Sequence, residues 1–292
     1  MTPTILPRPT AEKLDRIALA DWLMRPDHPL TARVAVNRLW QQVWGCDSPE
    51  NFGTQCAQPD HHELLDWLAT EYIRLKWDTK AILKLIVTSA SYRQSSATPP
   101  MQWKDDPDNR LLARGPRFRL PIGVVRDSSL AFAGLLQRDV GGTTVLLEPL
   151  LNQDKKEVKL SFPINTSRRT LYSFWKRNAP HPLLAVFDVA DRNQCDVRVR
   201  RTNTPLQALV TLNEPGQIAC AEAFAARIKE SDLEDDSRLI WAFRTATART
   251  PDEAQLGLLR DALGGYRTLA KTDAWNAMAN VLMNLDPTLT LE

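Results

Sequence analysis

Residues 59–94 read PDHHELLDWLATEYIRLKWDTKAILKLIVTSASYRQ, and this stretch decides the fold. Its first half carries apolar side chains at helical spacing opposite a polar face, which predicts an amphipathic helix. Its second half is apolar around most of the circumference over residues 82–90, so we expect a helix deep in a core. Asp60, with Glu63 three residues on, predicts the first helix start, and Asp78 or Thr79 the second. The stretch therefore predicts two helices joined by a tight turn.

The rest of the chain shows similar helical patterns on both sides of this hairpin. We predict a mainly α protein, an irregular helical bundle around a central αα-hairpin at about 60–91. The texture changes within about 143–175, where residues 158–162 and 170–175 alternate in polarity. Alternation is typical of strands, so a small β hairpin or ribbon is expected there.

Local signals place several helix boundaries. Gly45 suits a left-handed helix exit, and Gly141 with Gly142 predicts another stop. Residues 204–207, TPLQ, combine a cap, a first-turn proline and a glutamine at the third position, and residues 250–253, TPDE, repeat the arrangement. Both strings predict helix starts at their threonines.

These patterns suggest an order of parts along the chain. Residues 1–9 are proline-rich and predict a linker, and residues 10–142 form an N-terminal helical part. An irregular or β insertion covers residues 143–179. Residues 180–292 form a C-terminal helical part, which we expect to pack with residues 10–142 as one domain.

Composition excludes some function classes. Of 292 residues, 37 are Lys or Arg and 35 are Asp or Glu, so the net charge of +2 predicts no nucleic-acid partner. No apolar run approaches a membrane span, and no signal peptide is visible. No GxSxG, P-loop or GxGxxG string occurs, and Cys46, Cys56, Cys195 and Cys220 lack CxxC or CxxCH spacing. Buried thiols are favoured for these cysteines, with a disulfide between Cys46 and Cys56 as the alternative.

Arginines and acids recur in four segments that are distant in sequence. If the segments converge, guanidinium groups beside the helix start at Thr204 would bind a carboxylate, phosphate or sulfate group. The alternative is an internal ion-pair network, for example between Arg126 and Asp191. The candidate ligand-binding residues are Arg119, Arg126, Asp127, Arg177, Asp188, Asp191, Arg192, Arg198, Arg201, Thr202, Thr204 and Gln207.

Other candidate sites are less favoured by their surroundings. His62 and Asp66 lie four residues apart, a spacing that could hold two metal ligands. Both lie on the polar face near a helix start, so we expect no metal site, and His61 is expected to act as a hydrogen-bonding group at the helix N-terminus. Three tryptophans could form an aromatic platform for a sugar or nucleobase, namely Trp77, Trp103 and Trp175.

Several strings together resemble one known family. They are NRLWQQVWG, ENFGTQ, HHELLDWLA, LKLIVTSASYRQSS, DPDNRLLAR, VVRDSSLAFAG, RRTLYSFWKRNAPHP, FDVADRNQCDVRVRRTNTPLQALVTLN and NVLMNLD, in that order between residues 37 and 286. The chain resembles the planctomycete-specific domain of unknown function that closes large multidomain proteins, many of which carry a cytochrome-c-like domain upstream. The chain departs from the family at Gly123, where an acidic residue is usual, and at His62, where a proline is usual.

The resemblance implies membership but no mechanism. The expected function is a non-catalytic structural or interaction module of an extracytoplasmic multidomain protein, periplasmic or at the cell surface. The alternative is an enzyme or binding domain that takes an anionic or carbohydrate ligand through the arginine and acid set. No cofactor is expected in this chain, and the expected partner is an upstream cytochrome-c-like domain or another chain of the same system.

Overall fold

The computed structural model describes residues 6–9, 13, 15–45, 52, 59–147, 162–176, 181–189, 201–230, 233–269 and 273–291. The chain divides into two compact units, Met1–Phe118 and Arg119–Leu291. The boundaries predicted at residues 142 and 179, and the joint packing of residues 10–142 with 180–292, stay predictions. Within the described ranges, no helix has both the length and the apolar character needed to cross a bilayer.

The protein is mainly helical, and its described residues form one small antiparallel two-stranded sheet, which confirms the predicted fold class. The helices of the first unit are α1 Arg16–Leu23, α2 Thr31–Trp44, α3 His62–Arg74, α4 Thr79–Val87 and α5 Pro100–Asp105. Those of the second are α6 Ile122–Ala133, α7 Pro182–Val186, α8 Pro205–Asn213, α9 Pro215–Lys229, α10 Asp235–Thr247, α11 Glu253–Arg267, α12 Ala274–Met283 and α13 Asp286–Leu289. Strands β1 Phe118–Arg119 and β2 Thr290–Leu291 form the sheet.

Helices α3 and α4 form the predicted hairpin. Their turn places Lys76 and Trp77 at φ of 53° and 62°, and the Asp78 carboxylate caps α4 by accepting from the amides of Lys80 and Ala81. Tyr72 and Ile82 belong to a buried cluster that α2 also joins through Val36 and Trp44. The apolar face shared by the two rods is therefore the core of the first unit.

Two local predictions for the hairpin are wrong. Helix α3 begins at His62 without a side-chain cap, because the Asp60 carboxylate pairs with the Arg110 guanidinium instead. Only Ile82 and Ile86 are fully buried on α4, whereas Val87 is 37% exposed. Helix α4 has apolar side chains around most of its circumference but is not buried on all sides, because only one face of it meets other helices.

The core of the second unit lies where α9 and α12 pack together with α6, α10 and α11. Phe224 and Ile228 of α9, and Met278 and Leu282 of α12, are fully buried in it. Helix α6 enters this core and ends at Gly134, whose φ of 74° is left-handed. The predicted stop at residues 141–142 is wrong because the glycine at position 134 ends the helix one loop earlier.

Two capping strings have different outcomes. At α8 the predicted box is confirmed, since Thr204 and Gln207 exchange side-chain and backbone hydrogen bonds. At α11 the start at Thr250 is wrong: Asp252 caps the helix and Gln255 completes the box. A carboxylate two residues on competes successfully with the threonine hydroxyl.

The irregular region between α6 and α7 does not contain the small sheet. Its described residues make isolated parallel bridges that join Gln137 to Arg168, Val145 to Ser173, and Leu146 to Ile164. Thr170–Tyr172 is a 3-10 helix. The predicted strand at residues 158–162 lies mostly outside the described residues.

Candidate functional site

The second unit contains a cavity of about 350 Å³. Its walls come from the start of α6, the segment around the 3-10 helix, the end of α7 and the start of α8. The lining residues are Arg119, Leu120, Pro121, Ile122, Gly123, Thr170, Leu171, Ser173, Trp175, Leu184, Phe187, Asp188, Val189, Arg201, Thr202 and Gln207. We call this space the arginine cavity.

Arg119 reaches the arginine cavity from a fixed backbone. It lies in β1, and the next amide, that of Leu120, donates to the carbonyl of Leu289 at 2.9 Å. Its side-chain Nε is buried and has no hydrogen-bond partner among the described residues. Burial lowers the pKa of Arg119 below its ordinary value, and the carboxylate of Asp286 opposes this shift. The cavity wall thus carries a guanidinium with an unsatisfied buried donor.

Asp188 organises the opposite polar part of the lining. It follows α7 at φ of 54°, a left-handed conformation that aspartate tolerates better than most residues. Its Oδ2 accepts from the amide of Thr202 at 2.8 Å and from the Thr202 hydroxyl at 2.6 Å. The side-chain amide of Gln207 donates to the same carboxylate at 3.4 Å and to the carbonyl of Val186 at 3.2 Å. These bonds connect the end of α7 to the first turn of α8.

Arg126 and Asp127 do not line the cavity, but they hold in place the 3-10 segment that forms part of its wall. The Arg126 guanidinium is buried and donates to the carbonyls of Arg168, at 2.9 Å, and of Thr166. Burial lowers the pKa of Arg126, and the carboxylate of Asp127 partly offsets this effect. Asp127 accepts from the amide and hydroxyl of Thr170 at 2.8 and 2.7 Å. This pair holds the 3-10 segment against α6.

The predicted arginine and acid set is thus partly brought together. Arg119, Asp188, Arg201, Thr202 and Gln207 line one cavity, whereas Arg126 and Asp127 support it. Thr204 is occupied as the cap of α8. Four members lie outside the described residues, namely Arg177, Asp191, Arg192 and Arg198. The pairing of Arg126 with Asp191 therefore stays untested.

The remaining candidates lie elsewhere. His62 is exposed, and Asp66 accepts from Arg33 Nε at 2.5 Å. No group of three or more metal-ligating side chains occurs among the described residues. The Arg114 guanidinium lies 4.2 Å from the ring centre of Trp103. Trp77 packs on Tyr72 at 5.2 Å, so of the three candidate aromatics only Trp175 lines the arginine cavity.

Sequence reasoning missed Ser173 and most of the apolar lining. The Ser173 hydroxyl is buried without a hydrogen-bond partner among the described residues. Half of the lining is apolar and includes Ile122, Leu184 and Phe187, which also form a buried cluster. Nothing in their local sequence indicates that part of this buried cluster borders a cavity.

Fold and cavity together define a mainly helical domain with a preformed, partly apolar cavity of the size that small ligands occupy, about 300–1,000 Å³. The chain belongs to the family described as "Protein of unknown function (DUF1553)", PSD1, whose family model matches residues 15–263. No curated protein and no solved structure matches the chain.

Proposed function

We propose that the second unit is a non-catalytic binding module that holds a small anionic ligand in the arginine cavity. The ligand carries a carboxylate, phosphate or sulfate group on an apolar body. The observation that carries this proposal is Arg119, which lines the cavity and whose Nε is a buried donor without a hydrogen-bond partner among the described residues.

Energetics favour an anion at this position. A hydrogen bond to a charged group contributes about 1.5–3 kcal/mol, so an anion that accepts from the guanidinium of Arg119, whose Nε is a buried donor without a partner among the described residues, is favoured. The Ser173 hydroxyl is a second buried group of the same kind on the lining. Arg119 and Arg201 bring two positive charges to the cavity, against the carboxylate of Asp188 on the lining and that of Asp286 near Arg119. The positive end of the α8 dipole adds to the same sign of potential.

The apolar half of the lining favours a ligand with an apolar body over a free inorganic ion. Trp175 and Phe187 offer aromatic surface, and Ile122 and Leu184 offer aliphatic surface. Burying apolar ligand surface contributes about 25 cal/mol per Å². A sugar would leave hydroxyl groups against these side chains without partners, which disfavours it.

Binding without catalysis is supported by the chemistry of the described lining. It contains no His, Cys or Lys, the side chains that most often act as general bases or nucleophiles. Asp188, its one carboxylate, is engaged by Thr202 and Gln207. The Ser173 hydroxyl therefore has no described base that would activate it.

Gly123 allows a direct test. A Cβ added there would meet only Thr170 atoms at 3.6 and 3.7 Å, an ordinary contact distance. Gly123→Asp places a carboxylate in the cavity, and an acidic residue in the first turn of α6 also suits the helix. Gly123→Asn is the neutral variant of the same shape.

The test is calorimetric titration of the full chain with three indoles that differ in head group: indole-3-acetate, tryptophol and tryptamine. We expect the carboxylate to bind the arginine cavity tightest. Two like charges about 5–10 Å apart at an effective dielectric constant of 20 repel by about 2–3 kcal/mol. Gly123→Asp should therefore weaken the binding of indole-3-acetate by roughly 10-fold or more, and Gly123→Asn should weaken it much less. Equal losses in the two variants, or no preference for indole-3-acetate over tryptophol, would overturn the proposal.

From the sequence resemblance, we also propose that the domain acts within an extracytoplasmic multidomain protein. Its proposed partner there is a cytochrome-c-like domain or another chain of the same system. Fractionation of the source cells with an antibody against this domain tests this placement. Antigen confined to the cytoplasmic fraction would contradict it.

A further inference from the structure

The first unit contains its own cavity of about 300 Å³. Its floor is apolar: Val36 of α2 and Leu65 and Leu68 of α3 are buried there. The indole of Trp40 forms part of the wall and stacks on Trp44 with ring centres 5.2 Å apart. We call this space the α2–α3 cavity.

The loop that closes one side of the α2–α3 cavity is held in one conformation. Asp106 accepts from the amides of Arg110 and Leu111 at 2.8 and 3.0 Å. The Asn109 side chain bonds the backbone of Arg114 in both directions, at 2.9 and 3.3 Å. The wall is therefore formed before any ligand arrives, so little ordering entropy opposes binding.

The polar rim of the α2–α3 cavity offers acceptors. His61 Nε2 lies 2.7 Å from the carbonyl oxygen of Arg110. A carbonyl only accepts, so Nε2 carries the hydrogen of this bond. Asp60 and Asp108 add two carboxylates against the single guanidinium of Arg110. Asp60 and Arg110 neutralise each other in an ion pair, and Asp108 supplies the excess charge.

We infer that the α2–α3 cavity is a second ligand site, which takes a small apolar amine. The apolar body would lie on the leucine floor beside Trp40, whose ring face also attracts a cation. The ammonium would lie near the Asp108 carboxylate. This charge preference is opposite to that of the arginine cavity, and the inference does not depend on the proposed function.

The experiment uses the full chain and the same three indoles, with Asp108→Asn as the variant. Asp108 is exposed, so its replacement should leave the fold intact. A charge pair about 5 Å apart in water contributes about 0.8 kcal/mol. Asp108→Asn should therefore weaken the binding of tryptamine by about 3- to 5-fold and leave the binding of tryptophol unchanged. It should also remove most of the salt dependence of tryptamine binding.

Gly123→Asp separates the two sites. It lies in the second unit, so it should leave tryptamine binding at the α2–α3 cavity unchanged while weakening indole-3-acetate. Leu64→Trp, which fills the α2–α3 cavity, should abolish tryptamine binding, provided circular dichroism shows the parent helix content. Tryptamine binding that is no tighter than tryptophol binding, or that is unaffected by Asp108→Asn, would overturn the inference.

Discussion

Replacing Ile82 by alanine should destabilise the first unit by about 3 kcal/mol. Ile82 is 0% exposed, and it packs in the hairpin core with Leu68, Tyr72 and Ile86. The change removes three carbons, worth about 0.8 kcal/mol each by transfer. The space left behind adds a further cost, and such truncations lie at about 2–5 kcal/mol.

Hydrogen exchange of peptides from α3 and α4 measures this loss of stability in the first unit. A change of about 3 kcal/mol speeds exchange through unfolding by on the order of 100-fold. The control is Val87→Ala on the same helix, which is 37% exposed and should cost less than about 1 kcal/mol. Equal effects of the two substitutions would show that α4 does not bury its Ile82 face, and would refute the hairpin core.

The remaining predictions concern titratable groups. Arg33 lowers the pKa of Asp66, so the folded carboxyl binds a proton less readily than the unfolded one. This stabilisation is complete above the ordinary carboxyl pKa of about 3.9 and is lost as pH falls through the lowered folded value. Because the pair is half-exposed, Asp66→Asn should lower the free energy of urea unfolding by no more than about 1 kcal/mol at pH 7. The difference between parent and variant should be smaller near pH 3. A difference that does not change with pH contradicts the pairing. Burial raises the pKa of Cys220 to about 11, so iodoacetamide at pH 8 should label its peptide only after unfolding, and rapid labelling of the native chain contradicts its burial.

Local chemistry made several elements predictable. Asp78, the Thr204 box and Gly45 act on atoms within four residues, and their predicted roles are confirmed. Asp60 failed as a cap because Arg110, distant in sequence, binds its carboxylate. Sequence spacing reports which groups can meet locally, whereas distant partners follow only from tertiary packing.

The candidate site was predictable in its charges and not in its shape. Arg119, Asp188 and Arg201 stood out because arginines and acids recur in segments that are distant in sequence. Arg126 carries the same residue type but donates to the carbonyls of Thr166 and Arg168, a partner choice that no sequence pattern indicates. Whether a guanidinium faces a cavity or a loop carbonyl depends on how irregular segments pack.

We propose above that the arginine cavity receives an anion at Arg119. A crystal structure of the full chain with indole-3-acetate tests it most directly. We expect a carboxylate oxygen about 2.7–3.2 Å from a nitrogen of the Arg119 guanidinium, with the indole against Trp175 or Phe187. A saturated complex in which the carboxylate lies outside this cavity and does not contact the Arg119 guanidinium would contradict the proposed site.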